Sequence, residues 1–124
     1  MEPIASSDML AQLRKGVIQY CLLALLEAEP CHGYELIARL AHTKMIALAE
    51  STVYPTLARL RAKGLVEYQS APSERGPERK VFVLTEEGRA LLATWRACWS
   101  LFAREVANVT LDPTNAGAKV GWRD

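Results

Sequence analysis

The chain has 124 residues, enough for one domain with a real core and too few for a second. Half of the residues are apolar and 23% are charged, which excludes a disordered tail, a collagen-like repeat and a disulfide-dense miniprotein. Fifteen Lys and Arg against fourteen Asp and Glu leave a net charge of +1, so attraction to nucleic acid or to an anionic membrane must come from local patches.

Alanine and leucine supply 18 and 17 positions, a balance that predicts mostly helix. The first helix is expected from about Asp8 to Glu29, with Leu10, Leu13, Val17, Cys21, Ala24 and Ala28 on its buried stripe and Ile18, Leu22 and Leu25 widening it. Its longest unbroken apolar run, Tyr20 to Leu26, has seven residues. That is far below the roughly 20 needed to span a bilayer, so no transmembrane helix and no membrane partner is expected. Arg14 and Lys15 before that run imitate a secretory signal. Glu2 and Asp8 upstream, Gln19 inside and Glu27-Ala28-Glu29-Pro30 downstream argue against export.

Pro30 ends this helix, and Cys31-His32-Gly33 turns into a second one carrying Leu36, Ile37, Leu40 and Ala41 inward, with Glu35, Arg39 and His42 outward. A loop over Thr43 to Ala49 leads to a third helix with the stripe Val53, Leu57 and Leu60 and a stop at Gly64. The period then changes to two. Leu65 to Gln69 and Arg79 to Leu84 read as strands around a Pro-, Gly- and charge-rich tip, a long-tipped β-hairpin. Thr85 caps a long last helix to about Thr110, with Glu86 and Glu87 in its first turn. Asp112-Pro113 stops it, and the small, polar remainder is expected to be disordered.

Three helices and a hairpin form the order of a winged helix-turn-helix, whose third, recognition helix enters the major groove while the hairpin forms the wing. The expected fold is therefore mainly α: a winged helix-turn-helix over residues 8–84, a long C-terminal dimerisation helix over 85–111 and a tail over 112–124. On the third helix, Ser51, Thr52, Pro55, Thr56, Arg59 and Lys63 fall on the outward arc, with Ser51 as N-cap and no carboxylate among them. Hydroxyls and arginine suit base edges, and lysine suits phosphates. The same face would also suit plain solvation, and charge alone does not separate the two. From Ser51 to Lys80 six basic residues face three acidic ones. The tip with Arg75, followed by Arg79 and Lys80, could lie along a phosphate backbone, although Glu74 and Glu78 suit an ordinary loop.

Leu92, Trp95, Trp99, Phe102, Val106 and Val109 are spaced as a heptad seam, which wants a partner helix. A helix of about 26 residues, about 39 Å long, would overhang so small a domain and predicts a homodimer. Trp95 and Trp99 could wall a pocket for a small aromatic effector; filling the dimer core is the favoured reading. Cys21, Cys31 and Cys98 lack C-x-x-C spacing, which predicts no disulfide framework, no metal and a reducing cytoplasm. No P-loop, G-x-S-x-G or G-x-G-x-x-G is present, and neither a cofactor nor an enzymatic activity is expected.

Leu13-Arg14-Lys15-Gly16, Pro30 to Leu36, Ser51-Thr52-Val53-Tyr54-Pro55-Thr56-Leu57 with Leu60 and Gly64-Leu65-Val66, and Leu84 to Gly88 occur in order. Together they resemble the PadR family of bacterial transcriptional regulators, in its short form with one C-terminal helix, over about Leu13 to Val109. The resemblance implies a dimeric winged-helix repressor, often released from its operator by a small effector near the dimer interface. It also implies that Tyr54 and its neighbours face double-stranded DNA and that Trp99 lies at the dimer interface. Where relatives carry another cation and two tyrosines in the wing, this chain has Glu78, Val81 and Phe82; Ser51 stands where many have glycine. A winged-helix module that binds protein instead of DNA, or a ligand-binding protein built on the tryptophans, would share these elements.

Overall fold

The computed structural model describes residues 7–71, 79–112 and 114. Its elements are α1 (Ser7–Ala28), α2 (Gly33–Leu40), α3 (Glu50–Ala62), β1 (Val66–Ala71), β2 (Arg79–Leu84) and α4 (Glu86–Leu111). The chain divides into two compact units, Met1–Leu92 and Ala93–Asp124. The mainly helical, winged helix-turn-helix arrangement is the one expected.

In the first unit the core is an aliphatic cluster: Ile18, Leu22, Leu23 and Leu26 of α1 pack with Leu36, Leu40, Val53, Leu57, Leu60, Val66, Phe82, Leu84 and Leu92. The buried face of α1 is therefore rotated from the expected stripe. Leu22 and Leu23 are fully buried, whereas Leu13 is 58% exposed and Val17, Cys21 and Ala24 are only partly covered. Periodicity could not choose among so many apolar positions, and the contacts of α2, α3 and the hairpin did. Over Asp8–Ala28 the helix is apolar and long enough to match a bilayer span, which counting its unbroken run had missed. Its C-terminal half is nevertheless committed to this core. Arg39 of α2 binds the end of α1, donating to the Leu25 carbonyl at 3.3 Å and pairing with Glu29 at 2.6 Å.

His32 caps α2, its Nδ1 accepting from the Glu35 amide at 3.3 Å. Ala41 lies exposed just past the helix end, at its C-cap, instead of in the core. Helix α3 starts two residues earlier than expected: its N-cap is Ala49, not Ser51. Pro55 thus lies beyond the first turn, where its missing N–H removes the bond that the Ser51 carbonyl would accept. The exit of α3 is a left-handed stop. Gly64 has φ +76, its N–H donates to Arg61 O at 2.9 Å, and the Leu65 N–H donates to Leu60 O at 2.9 Å.

The two strands are antiparallel, with Val66 opposite Leu84 and Tyr68 opposite Phe82. The Phe82 N–H also donates to the Cys31 carbonyl at 2.8 Å, which ties the α1–α2 turn to the wing. Thr85 has its expected role: its hydroxyl accepts from the Gly88 N–H at 3.0 Å and donates to Gly64 O at 2.6 Å. Gly88 is required by space, because any Cβ there would strike the Leu65 carbonyl.

Leu92 corrects the seam. It is fully buried in the core of the first unit, because the opening turns of α4 belong to that unit. In the second unit Phe102 is 61% exposed, and Trp99, Val106 and Val109 are exposed with it, so these four form an exposed apolar stripe, while Trp95 is half-buried. The expectation of a disordered tail falls, beyond Asp112 and Thr114, outside the described residues.

Candidate nucleic-acid interface

Helix α3 buries Val53, Leu57 and Leu60 as expected, which leaves Glu50, Ser51, Thr52, Tyr54, Pro55, Ala58, Arg59, Arg61 and Ala62 exposed. Lys63, its C-cap, is exposed too. Thr56 departs from the expectation. It is 0% exposed, its hydroxyl donating to the Thr52 carbonyl at 2.8 Å and accepting from Arg59 Nη2 at 3.2 Å. The outward arc is narrower than expected: Thr56 falls only about 60° from the centre of the buried face. Thr56 therefore orients Arg59 and does not reach outward.

The outermost ridge of α3 is made of small or uncharged side chains, Ser51, Pro55, Ala58 and Ala62. Cations flank it on both sides. Toward α1, a groove of about 420 Å³ is lined by Arg14, Lys15, Thr52, Thr56 and Arg59, among others. Arg14 is fixed there by donating from Nε to the Met45 carbonyl at 2.8 Å. Toward the wing, an open hollow of about 670 Å³ is lined by His32, Gly33, Tyr34, Tyr54, Ala58, Arg61, Tyr68, Lys80 and Phe82. Among the described residues, neither lining includes a carboxylate.

Of the expected contact residues, Tyr54 and Lys80 thus meet in the hollow, while Thr52 and Arg59 meet in the groove. The backbone of Arg79 lies in β2, and Arg75 lies outside the described residues. Sequence reasoning missed Arg61, Tyr34, Tyr68, Arg14 and Lys15. Arg61 sits only about 80° from the buried centre of α3, and its reach over Tyr68, at 4.2 Å from the ring centroid, depends on a strand the helical wheel does not contain. The LRKG and HGYE motifs did carry Arg14, Lys15 and Tyr34, though as fold markers only.

Within the second unit Trp99 lies against Phe102, with ring centroids 6.1 Å apart and planes tilted by 31°. Trp95 is half-buried. Burial pushes the Cys21 thiol above its usual pKa. It does the same to Cys31, where Arg39 pulls downward and Glu35 and Glu29 add to the rise.

A model of the transcriptional regulator PadR-like family matches residues 22–94. The HTH-type transcriptional repressor NicR of Pseudomonas putida is 35% identical over 100 residues, covering 80% of this chain and 55% of that protein. The chain thus spans about half the length of this curated relative. A PadR family transcriptional regulator from Eggerthella lenta superimposes with a TM-score of 0.74 at 30% identity, over 84% of this chain and 90% of that one. Bacillus subtilis PadR in complex with operator DNA superimposes with a TM-score of 0.60 at 25% identity, over 64% of this chain and 45% of that one.

Proposed function

Because the chain belongs to the PadR-like family of transcriptional regulators, we propose that it binds a short inverted-repeat operator as a homodimer in the cytoplasm and represses transcription there. The carrying observation is the exposed face of α3: a ridge of small residues between two sets of cations, with no carboxylate among the described residues that line either side. A narrow ridge admits the helix to the major groove, and cations on both flanks meet the phosphates that border it. Operator DNA bound to the related Bacillus subtilis PadR supports this reading.

In this reading Ser51, Thr52 and Arg59 approach base edges, Arg59 being held by the buried Thr56 hydroxyl. Tyr54, Lys63, Arg75, Arg79 and Lys80 approach phosphates. The exposed stripe of Trp99, Phe102, Val106 and Val109, with the half-buried Trp95, forms the dimer seam. That pairing places two recognition helices on two half-sites. A small aromatic effector that releases the operator would lie beside Trp95 and Trp99.

The test is a titration with labelled duplex from the chain's own upstream intergenic region, at two salt concentrations, against a scrambled duplex of equal length. Salt-sensitive binding with a preference of about a thousandfold for the native duplex is expected. Equal binding of both duplexes would remove the sequence-specific regulator.

A further inference from the structure

Two cations from different elements converge on one aromatic ring. The Arg61 guanidinium of α3 lies 4.2 Å from the centroid of Tyr68, and the Lys80 ammonium of β2 lies 4.7 Å from the same centroid. Tyr68 is itself fixed, because Phe82 opposite it in the hairpin meets it edge-on at 5.9 Å. Phe82 in turn is buried and bound through its N–H to Cys31. We propose that Arg61 and Lys80, held over Tyr68, form a clamp for one phosphate of the DNA backbone and couple the recognition helix to the wing, with Tyr68 as the positioning residue. This deepens the reading of α3 as the DNA-facing helix and rests on it.

The nature of the platform carries the assignment. A carboxylate would hold these cations equally well but would neutralise them. The face of an aromatic ring attracts a cation through its quadrupole and leaves the full positive charge available. The rotamer entropy that a long cation loses on binding is thereby reduced in advance, while both charges line one hollow. An anion entering that hollow is offered both cations at once. The hollow also opens beside Ala58 on the outer ridge of α3, on the side where a backbone strand bordering the major groove would pass.

The test compares operator and scrambled duplex across a salt series. Arg61→Gln and Lys80→Gln should each weaken both duplexes by the same factor, about five- to tenfold, and lower the log–log salt slope by about one. Tyr68→Leu should reproduce this although both cations remain, and Tyr68→Phe, which keeps the ring, should stay within about twofold of the parent. If Tyr68→Leu disturbs the wing, the Arg61→Gln/Lys80→Gln double variant decides. One shared phosphate makes its loss smaller than the product of the single losses, and multiplicative losses overturn the clamp. A loss confined to the operator, or an unchanged salt slope, also overturns it.

A titration with inorganic phosphate, read by NMR, separates the clamp from the wider reading. Weak, millimolar shifts confined to the hollow and abolished by Arg61→Gln support the clamp even if no duplex binds. Absent shifts together with absent duplex binding overturn both. Micromolar saturation by free phosphate would overturn the backbone as the ligand.

Discussion

The backbone of Gly33 lies against the ring of Tyr54, so closely that a methyl group on Gly33 would come within 2.8 Å of Tyr54 Cζ and 3.0 Å of its hydroxyl oxygen. The start of α2 thereby sets where the Tyr54 side chain of α3 stands. Tyr54 is exposed, so it can swing aside without disturbing the core. Gly33→Ala is expected to cost about 1 kcal/mol or less in urea unfolding, toward the low end for added bulk. Duplex affinity should nevertheless fall severalfold as Tyr54 moves. Unchanged affinity would show that Tyr54 makes no contact with DNA.

Thr56 and Arg59 provide a cleaner separation of stability from recognition. In Thr56→Val the Thr52 carbonyl keeps its helical acceptor role, and Arg59 loses its hydroxyl anchor. Stability should change by about 1 kcal/mol, the ordinary value of a neutral hydrogen bond. Preference for operator over scrambled duplex should fall several-fold, and Arg59→Ala should remove more of it, by about 1 to 3 kcal/mol of discrimination. If Arg59→Ala leaves operator affinity unaltered, the base-contact role is wrong.

Leu92 and Phe102 belong to one heptad pattern but should respond differently. Leu92→Ala opens a cavity in the core and is expected to cost about 2 to 5 kcal/mol in chemical denaturation. Phe102→Asp and Val106→Asp place charge on the uncovered stripe instead. They should convert a dimer to a monomer in light scattering while the unfolding midpoint of the monomer changes little. A monomeric parent protein would remove the seam from the dimer.

The thiols predict an order of reactivity. Burial holds Cys21 and Cys31 protonated above the ordinary thiol value of 9.0, and Cys98 is exposed. Iodoacetamide at pH 8, followed by mass spectrometry, should therefore label Cys98 first. A thiol pKa raised in the folded state contributes stability that is fully present below pH 9.0. That contribution is lost as pH rises through the raised value. The urea midpoint should thus decline above about pH 9, and less steeply in a Cys21→Ala/Cys31→Ala variant. A decline of equal slope in that variant would remove the thiols as its cause.

By itself the sequence determined what neighbouring residues encode: the buried triad Val53, Leu57 and Leu60, the left-handed stop at Gly64, the hairpin's two strands, the Thr85 cap and the ordered motifs of the family. Each depends on local spacing and backbone preference, which a few consecutive residues specify. Only the tertiary structure decided which of many apolar residues α1 buries, that Thr56 turns inward, and that Leu92 joins the core instead of the seam. Each of those follows from which neighbour occupies the space beside a helix. The hollow is the strongest case. His32, Tyr54, Arg61, Tyr68 and Lys80 come from four parts of the chain, and they meet because Phe82 is bridged to Cys31 and pairs with Tyr68 across the hairpin. The reach of a long cation is set by the ring it finds, and no periodicity within α3 contains that ring.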